Sequence, residues 1–172
     1  MNKMREIRIE KITLNIGAGM PGPHMEKAVK VLEVISGVKP VETKTTKRIP
    51  GWKIRPGLPI GCKVTLRGKK AEEVLSALFQ AVDSKLPPYK FDKTGNLSFG
   101  IKEYIDIPGM KYDMSIGIIG LEVAVTLARP GFRIKRRRIR KRQVGNKHKI
   151  TKEEAISFIS EKFSVNVTEG DS

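Results

Sequence analysis

The sequence lacks most of the features on which disulfide-bonded, metal-binding and membrane proteins depend. Its 172 residues include one cysteine, Cys62, so no disulfide can form within the chain. One cysteine and two distant histidines, His24 and His148, do not make a set of metal ligands. No apolar run approaches the roughly 20 residues of a membrane span, and the first residues have no apolar signal-peptide core. We therefore expect a soluble, cytoplasmic protein with no metal and no other cofactor.

Acidic residues are absent from two long runs of the chain. Residues 43–70 contain nine Lys or Arg and residues 129–149 contain eleven, and neither run has an Asp or Glu. The chain has a net charge of +16 and the two runs hold 20 positive charges, so the remainder has a net charge of −4. Charge that only keeps a protein in solution is normally mixed in sign. A mildly acidic body with two basic patches is typical of a nucleic-acid-binding protein.

The first run contains a segment that predicts a long exposed loop, residues 46–59, which we call the basic loop. Its prolines and glycines interrupt regular structure, and it has no apolar periodicity that would bury it. Long loops in compact domains tend to be functional. Trp52 could stack on a base or sugar, or it could anchor the loop to its own domain. The residues of the loop predicted to bind RNA are Lys47, Arg48, Gly51, Trp52, Lys53 and Arg55.

Hydrophobic periodicity predicts an α+β fold. Alternating apolar residues predict strands at 7–16, 60–67, 97–101 and 119–128, with a short edge strand at 40–45. The parity of the first strand changes along its length, which indicates a bulge near Glu10 and Lys11 or, alternatively, a strand that begins only at Lys11. Helical periodicity predicts helices at 25–35, 71–84 and 151–163, the last opened by a capping box. We expect one domain over 1–172: a largely antiparallel sheet with helices on one face, a long basic loop, and a tail that frays after Val167.

The other face of the predicted sheet is polar and basic. Its short polar side chains can hydrogen-bond sugars and base edges, while its Lys and Arg side chains can contact phosphates. Each residue alone would pass for ordinary solvated surface, but three strands share this chemistry beside two basic runs. The residues expected on this face are Lys11, Thr13, Asn15, Lys63, Thr65, Arg67, Asn96 and Ser98.

The second run, residues 129–149, predicts a basic loop or hairpin, which we call the basic extension. It could meet anionic lipid, but it has no apolar face of Leu or Trp to insert, so we predict no membrane partner. The sequence leaves open which partner it binds. Its candidate binding residues are Arg133, Arg136, Arg137, Arg138, Arg140, Lys141 and Arg142.

No motif supports catalysis. Residues 17–22 match GxGxxG, the glycine pattern of dinucleotide-binding folds, but Pro21 and Pro23 remove backbone N–H groups that would meet a pyrophosphate. Residues 40–47 are polar and basic, whereas the next buried parallel strand of such a fold is apolar. No histidine or cysteine has a partner at catalytic spacing. We predict that the protein is not an enzyme and has no small-molecule substrate.

Four blocks of the sequence resemble the family of large-subunit ribosomal protein number five, which carries 5S ribosomal RNA. The blocks are residues 12–19 (ITLNIGAG), 35–40 (ISGVKP), 53–68 (KIRPGLPIGCKVTLRG) and 91–103 (FDKTGNLSFGIKE). They follow the family's order across nearly the whole chain. The basic extension and the capped last helix resemble the archaeal and eukaryotic branch.

The resemblance implies a structural role in translation. The family's 5S-binding Asn and Thr fall on Asn15 and Thr65, while a Gln of the bacterial branch falls on Val38 and is lost. By this resemblance the protein anchors 5S ribosomal RNA in the central protuberance, and the basic loop reaches peptidyl-site transfer RNA. Expected partners also include large-subunit ribosomal RNA and neighbouring proteins of the central protuberance and small-subunit head. The ribosomal RNA site is expected to comprise Lys11, Thr13, Asn15, Lys39, Lys44, Lys63, Thr65, Arg67 and Asn96.

Overall fold

A computed structural model describes residues 2–167, and the tail that we expected to fray after Val167 lies outside them. The helices are α1 (Pro23–Ser36), α2 (Lys69–Gln80) and α3 (Lys152–Phe163). The strands are β1 (Arg8–Gly17), β2 (Val41–Lys44), β3 (Pro59–Leu66), β4 (Lys85–Leu86), β5 (Leu97–Ile101), β6 (Leu121–Ala128) and β7 (Asn166–Val167). The prediction of one domain over 1–172 stays a prediction.

Five strands form one antiparallel sheet in the order β2-β3-β1-β6-β5. The α+β class and the antiparallel sheet are therefore confirmed. The glycine-rich segment 17–22 follows a strand whose last residue, Gly17, pairs with Gly61 of an antiparallel neighbour. The parallel βαβ unit of a dinucleotide fold is not present there. A short parallel pair, β4 with β7, makes a second small sheet.

Strand β1 lies at the centre of the sheet, and its alternating sequence explains its position. Ile12, Leu14 and Ile16 are at most 3% exposed, while the residues between them face the other side. The pairing of β1 with β6 shifts in register between Ile9 and Lys11, so the predicted bulge at Glu10 is confirmed. A bulge of this kind lets the strand switch its inward parity without breaking the sheet.

The three helices cover one face of the sheet, as predicted. Their buried residues join those of β1, β3, β5 and β6 in a single core cluster. Phe79 of α2 stacks on Phe99 of β5, with ring centroids 5.5 Å apart, and contacts Phe163 of α3 edge-on at 5.3 Å. Burying one such side chain stabilises the fold by about 1.5–3 kcal/mol. The opposite face of the sheet, which we call the open face, carries no helix of the described chain.

Helix α2 is shorter than predicted, because it ends at Gln80 and not at residue 84. Asp83 and Ser84 both have φ of +53°, a left-handed conformation that stops a helix. The chain then turns into β4, which the sequence did not reveal because β4 and β7 have only two residues each. The capping box at Thr151 and Glu154 is confirmed.

Strand β5 is regular at Gly100. Strand β5 pairs with β6 without a register shift, and a Cβ at Gly100 would make only an ordinary contact. Close backbone approach occurs instead at Gly61 of β3, where a Cβ would lie 2.8 Å from the carbonyl oxygen of Ile16. The β3 strand therefore needs glycine at the point where it pairs with the end of β1.

Candidate nucleic-acid interface

The centre of the open face is a polar cluster on β1 and β3. Thr13 pairs directly with Thr65, and Asn15 pairs with Lys63. Residues opposite each other on antiparallel strands have side chains about 4.5–5.5 Å apart on the same face. Thr13 and Asn15 are half-buried, and Lys63 and Thr65 are exposed. The structure therefore brings together these four residues as the sequence predicted.

The next strand, β6, gives the open face a feature that our sequence reasoning missed. Glu122 pairs with Asn15, and the Asn15 amide Nδ2 donates to the Glu122 carboxylate at 3.5 Å. Beyond it, β5 contributes Ser98 and Gly100, opposite Ala124 and Glu122. The open face is thus basic on β3 and β1 but neutral to acidic on β6 and β5. The strict alternation of residues 121–127 would have placed Glu122 on this face.

Asn96 does not join the polar cluster. It precedes β5, which lies three strands away from β3, roughly 14 Å at the usual spacing of strands. Its side-chain amide donates to the Thr94 hydroxyl at 2.9 Å, and Thr94 in turn donates to the Asp92 carboxylate. That hydroxyl lowers the pKa of Asp92. The Asn96 side chain is therefore part of a local turn.

The other predicted ribosomal RNA residues lie around the basic half of the open face. Lys11 of β1 pairs with Thr126 and is half-buried. Lys39 and Lys44 are exposed, before and at the end of the edge strand β2. Arg67 follows β3, and its Nη1 donates to the carbonyl oxygen of Glu10 at 3.4 Å. Val38, the position on which the resemblance places the bacterial Gln, is 41% exposed.

The basic loop is more ordered than the sequence predicted, because it prolongs the β2–β3 hairpin. The Thr45 amide donates to the Leu58 carbonyl at 2.9 Å, and Ile49 and Ile54 exchange two backbone hydrogen bonds of 3.0 and 3.1 Å. A 3-10 turn at Pro50–Trp52 forms the tip. Ile54 is 9% exposed, so the expectation that the loop buries no apolar residue is also wrong.

Trp52 at the tip is 69% exposed. This exposure argues against the alternative in which Trp52 anchors the loop, and Ile54 takes that role. Gly51 and the basic side chains of the loop are exposed as well. Four basic residues of the loop form no ion pair with any other described residue: Lys47, Arg48, Lys53 and Arg55. The tip therefore presents four free cationic side chains and one aromatic ring.

The basic extension is not a hairpin, since residues 129–149 form no strand. Two 3-10 turns, Phe132–Lys135 and Asn146–His148, stand in its place. Val144 is buried near its end and Phe132 near its start, which fastens both ends to the core cluster. Repeated Arg and Lys in the middle give no alternation for a strand to use. The seven candidate residues of this region are all exposed: Arg133, Arg136, Arg137, Arg138, Arg140, Lys141 and Arg142.

Arg129 is the exception within this run, because it is only 6% exposed. Its guanidinium donates to the carbonyl oxygens of Arg5 at 3.0 Å and Lys149 at 3.1 Å, and to the Glu154 carboxylate at 2.8 Å. Arg129 thus clamps the two ends of the extension onto the start of α3. The backbone N–H of Thr151 and the Arg129 guanidinium lower the pKa of Glu154. Nothing in the sequence distinguished Arg129 from its basic neighbours.

Cys62 and His148 are residue types that serve in catalysis and metal binding, but here their contacts are those of structural residues. Cys62 is fully buried, and burial together with the Glu42 carboxylate raises the pKa of its thiol to about 11. His148 Nε2 lies 2.8 Å from the Pro130 carbonyl oxygen. Within residues 2–167, no three His, Cys, Asp or Glu side chains come close enough to hold a metal ion. In the same residues, no helix combines the length and apolar character needed to cross a bilayer.

Comparison with known proteins gives a consistent result along the chain. Residues 2–55 match the family described as "Ribosomal protein L5", and residues 59–159 match the C-terminus of the same ribosomal protein family. The boundary between the two matches falls inside the basic loop. Among the relatives, the "Large ribosomal subunit protein uL5" of Nanoarchaeum equitans is 53% identical, covering 95% of this chain and 97% of that protein.

Two further archaeal relatives agree with this match. The protein of the same name from Sulfurisphaera tokodaii is 48% identical over 99% of this chain and 97% of its own length. The one from Methanobrevibacter smithii is 45% identical over 98% of this chain and its full length. The similarity therefore includes the basic loop, the open face and the basic extension.

Proposed function

The chain belongs to the ribosomal protein uL5 family of the large ribosomal subunit, and from this premise we propose that its open face binds 5S ribosomal RNA. Members of the family are structural ribosomal proteins and not enzymes, so ribosomal RNA and other ribosomal proteins are its partners. The role is to hold 5S ribosomal RNA in the central protuberance. The observation that carries this proposal is the four-residue cluster on β1 and β3.

The chemistry of that cluster suits RNA. The Thr13 and Thr65 hydroxyls can donate to and accept from ribose 2′-hydroxyls, and the Asn15 amide can do both at a base edge. Lys63, exposed beside Asn15, can neutralise a phosphate. Arg67, Lys39 and Lys44 extend the positive charge toward β2. On β6, the Glu122 carboxylate repels phosphates, so the RNA backbone lies over β3 and β1.

The basic loop has a different role in this proposal, which is contact with peptidyl-site transfer RNA. Its four free cationic side chains lie beyond the sheet, at the end of the prolonged hairpin, together with the exposed Trp52. An exposed aromatic ring beside cationic residues is suited to stacking on a base. The loop is therefore a second RNA-binding element, with its own ligand. Contact with the small-subunit head and with neighbouring proteins of the central protuberance belongs to other surfaces of the chain.

Substitutions on the open face test the 5S site. Asn15→Ala and Thr65→Ala should each weaken binding of 5S ribosomal RNA by roughly 0.5–3 kcal/mol without unfolding the protein, because each removes hydrogen bonds at the interface. Ser98→Ala is the matched control, since Ser98 is exposed on the same face but at the far edge strand. Gel shifts with 5S ribosomal RNA and with mixed-sequence RNA of equal length measure the effect. Normal 5S binding by both folded variants would move the site to the basic regions alone.

A further inference from the structure

The bulge in β1 brings the two basic regions of the sequence into contact through one carboxylate. Glu10 lies in the bulge, and its Oε1 is 3.8 Å from Nη1 of Arg67, at the end of the first basic run. Its Oε2 accepts a hydrogen bond from Nη2 of Arg136 in the basic extension. Two guanidinium groups separated by 69 positions in the sequence therefore share the two oxygens of a single carboxylate.

The three side chains differ sharply in exposure. Glu10 is 13% exposed, whereas Arg67 and Arg136 are 60% and 43% exposed. A guanidinium has five N–H donors in a planar fork, so each arginine keeps donors that face solvent. The pair formed by Glu6 and Arg8 is different, because both partners are more than half exposed. Glu10 is thus a shielded carboxylate beneath accessible guanidinium groups.

A cleft of about 330 Å³ lies beside this cluster, between the bulge and the start of the basic extension. Glu10 is the one acidic residue among those that line it. Four arginines line it. Arg8 pairs with Glu6, Arg136 pairs with Glu10, and Arg129 is directed into the clamp described above, while Arg133 forms no ion pair with any residue in the described chain. Arg67 is not among the lining residues and reaches Glu10 from the end of β3. The cleft is therefore positive at its rim, with arginines supplied by two separate segments.

We propose that Arg67, Arg133 and Arg136 form a binding site for a backbone phosphate of RNA, in which the Glu10 carboxylate takes the place of the phosphate in the free protein. Guanidinium groups bind carboxylate and phosphate oxygens in the same planar geometry, so one anion can replace the other. The inference rests on the proposed function, because it takes RNA as the partner. It gives the basic extension a role in ribosomal RNA binding that continues the edge of the open face.

This arrangement predicts that Glu10 opposes RNA binding. When a phosphate takes over the guanidinium donors, the carboxylate loses its partners and remains close to another negative charge. Glu10→Gln removes that charge and should bind RNA about three- to tenfold tighter, with a salt dependence steeper by about 0.7–0.9 in the slope of log K against log salt. Glu73→Gln is the matched control, since it makes the same charge change at an exposed residue of α2 that does not line the cleft, and it should alter affinity less than about twofold.

The experiment measures binding of full-length variants to 5S ribosomal RNA and to a mixed-sequence RNA duplex, over a range of salt, with thermal unfolding to check the fold. Equal effects of Glu10→Gln and Glu73→Gln would show that only net charge matters and overturn the proposal. Weaker binding by folded Glu10→Gln would overturn it too, because Glu10 would then orient the arginines for RNA. If the wild-type protein bound both RNAs equally, the 5S proposal would fail, while the comparison of the two Gln variants would still decide this one.

A second pair of variants tests the proposal independently if Glu10→Gln perturbs the fold. Arg136→Gln should weaken RNA binding and abolish most of the gain from Glu10→Gln when the two are combined. Arg138→Gln, which removes an equal charge from a residue without a contact to Glu10, should leave that gain intact. A gain that is the same in both backgrounds would rule out Arg136 as a phosphate ligand. Tighter binding of Glu10→Gln to anionic phosphatidylserine vesicles, but not to RNA, would replace RNA by a lipid surface.

Discussion

The basic loop and the basic extension differ in how their cationic side chains are paired. In the loop, four such side chains are exposed and form no ion pairs within the described chain: Lys47, Arg48, Lys53 and Arg55. In the extension, Arg129 forms an ion pair with Glu154, and Arg136 forms one with Glu10. The loop is shaped by backbone hydrogen bonds across a hairpin. The extension has no strand pairing. Backbone hydrogen bonds form its 3-10 turns, and the side chains of Arg129 and Arg136 hold it to distant parts of the chain. Two runs that look alike in the sequence therefore place their charges by different means.

A run of sequence without acidic residues does not necessarily present all of its positive charges unpaired at the surface. Acids distant in sequence, at positions 10 and 154, neutralise part of the basic extension. No such acid reaches the basic loop in the described residues. Removing Arg129 should therefore damage the extension, while removing the cationic side chains of the basic loop should leave its fold intact.

Arg129→Ala should have the largest effect on stability. The change leaves the carbonyl groups of Arg5, His148 and Lys149 without this donor, and the Glu154 carboxylate keeps only the Thr151 backbone N–H. We expect a loss of about 2–3 kcal/mol in the free energy of unfolding. Urea unfolding at neutral pH measures it. Arg133→Ala in the same run is the control, since Arg133 is exposed, and should cost less than about 0.5 kcal/mol. Equal stability of both variants would mean that the clamp contributes nothing.

Replacing residues 46–58 by a short Gly-Ser turn should affect function more than folding. We expect the shortened protein to fold, bind 5S ribosomal RNA and enter the large subunit, while transfer RNA leaves the peptidyl site about tenfold faster through the loss of phosphate contacts. Loss of the buried Ile54 should lower stability by no more than about 1–3 kcal/mol. Transfer RNA dissociation from reconstituted ribosomes measures the effect.

A second loop variant separates charge from length. Changing Lys47, Arg48, Lys53 and Arg55 together to Gln keeps the hairpin and Ile54 but removes the free charges. It should reproduce most of the faster transfer RNA release and leave 5S binding within about twofold. If 5S binding collapsed in either loop variant, the loop would be part of the primary ribosomal RNA site and the proposed division between loop and open face would be wrong.

Most of the fold follows from local sequence, because strict alternation fixes which side of each strand is buried. Ile12, Leu14 and Ile16 determine the orientation of β1, and the parity change before them predicts the bulge at Glu10. The capping box gives the start of α3 directly. Strands β4 and β7 escaped prediction since two residues carry no periodicity, and the end of α2 depends on backbone angles at Asp83 and Ser84.

The candidate interface was predictable only where it lies on regular strands. Alternation placed Thr13, Asn15, Lys63 and Thr65 on one face, and the register confirmed that they are neighbours. The alternation of apolar and polar residues could not reveal which charges are neutralised by distant residues. The contacts of Arg129 with Arg5 and Glu154 span 124 and 25 positions, and no local pattern encodes them. For the same reason, local sequence could not decide between the loop and the hairpin predicted for the basic extension, which is a loop with two 3-10 turns.

The smallest expected effect concerns the acid dependence of the clamp. The pKa of Glu154 is lowered in the folded protein, by the Thr151 backbone N–H first and by Arg129 second. A carboxyl group whose pKa is lowered on folding adds stability above its unfolded pKa, near 4.5, and loses it as the pH falls through its folded pKa. Glu154→Gln should therefore be less stable than wild type at pH 7, by about 0.5–1 kcal/mol because the side chain is 42% exposed.

The difference between wild type and Glu154→Gln should shrink as the pH falls below the unfolded pKa and through the lowered folded pKa, where the carboxyl group becomes protonated in the folded protein as well. Urea unfolding of both proteins at several pH values measures this difference, and taking the difference removes the effect of other carboxyl groups. Glu153→Gln, one position earlier in the first turn of α3, is the control, because Glu153 has no bond to Arg129 and should show a weaker dependence. A Glu154→Gln difference that stayed constant between pH 7 and pH 3 would show that the clamp acts through neutral hydrogen bonds, since a contribution from the ion pair must disappear with the charge.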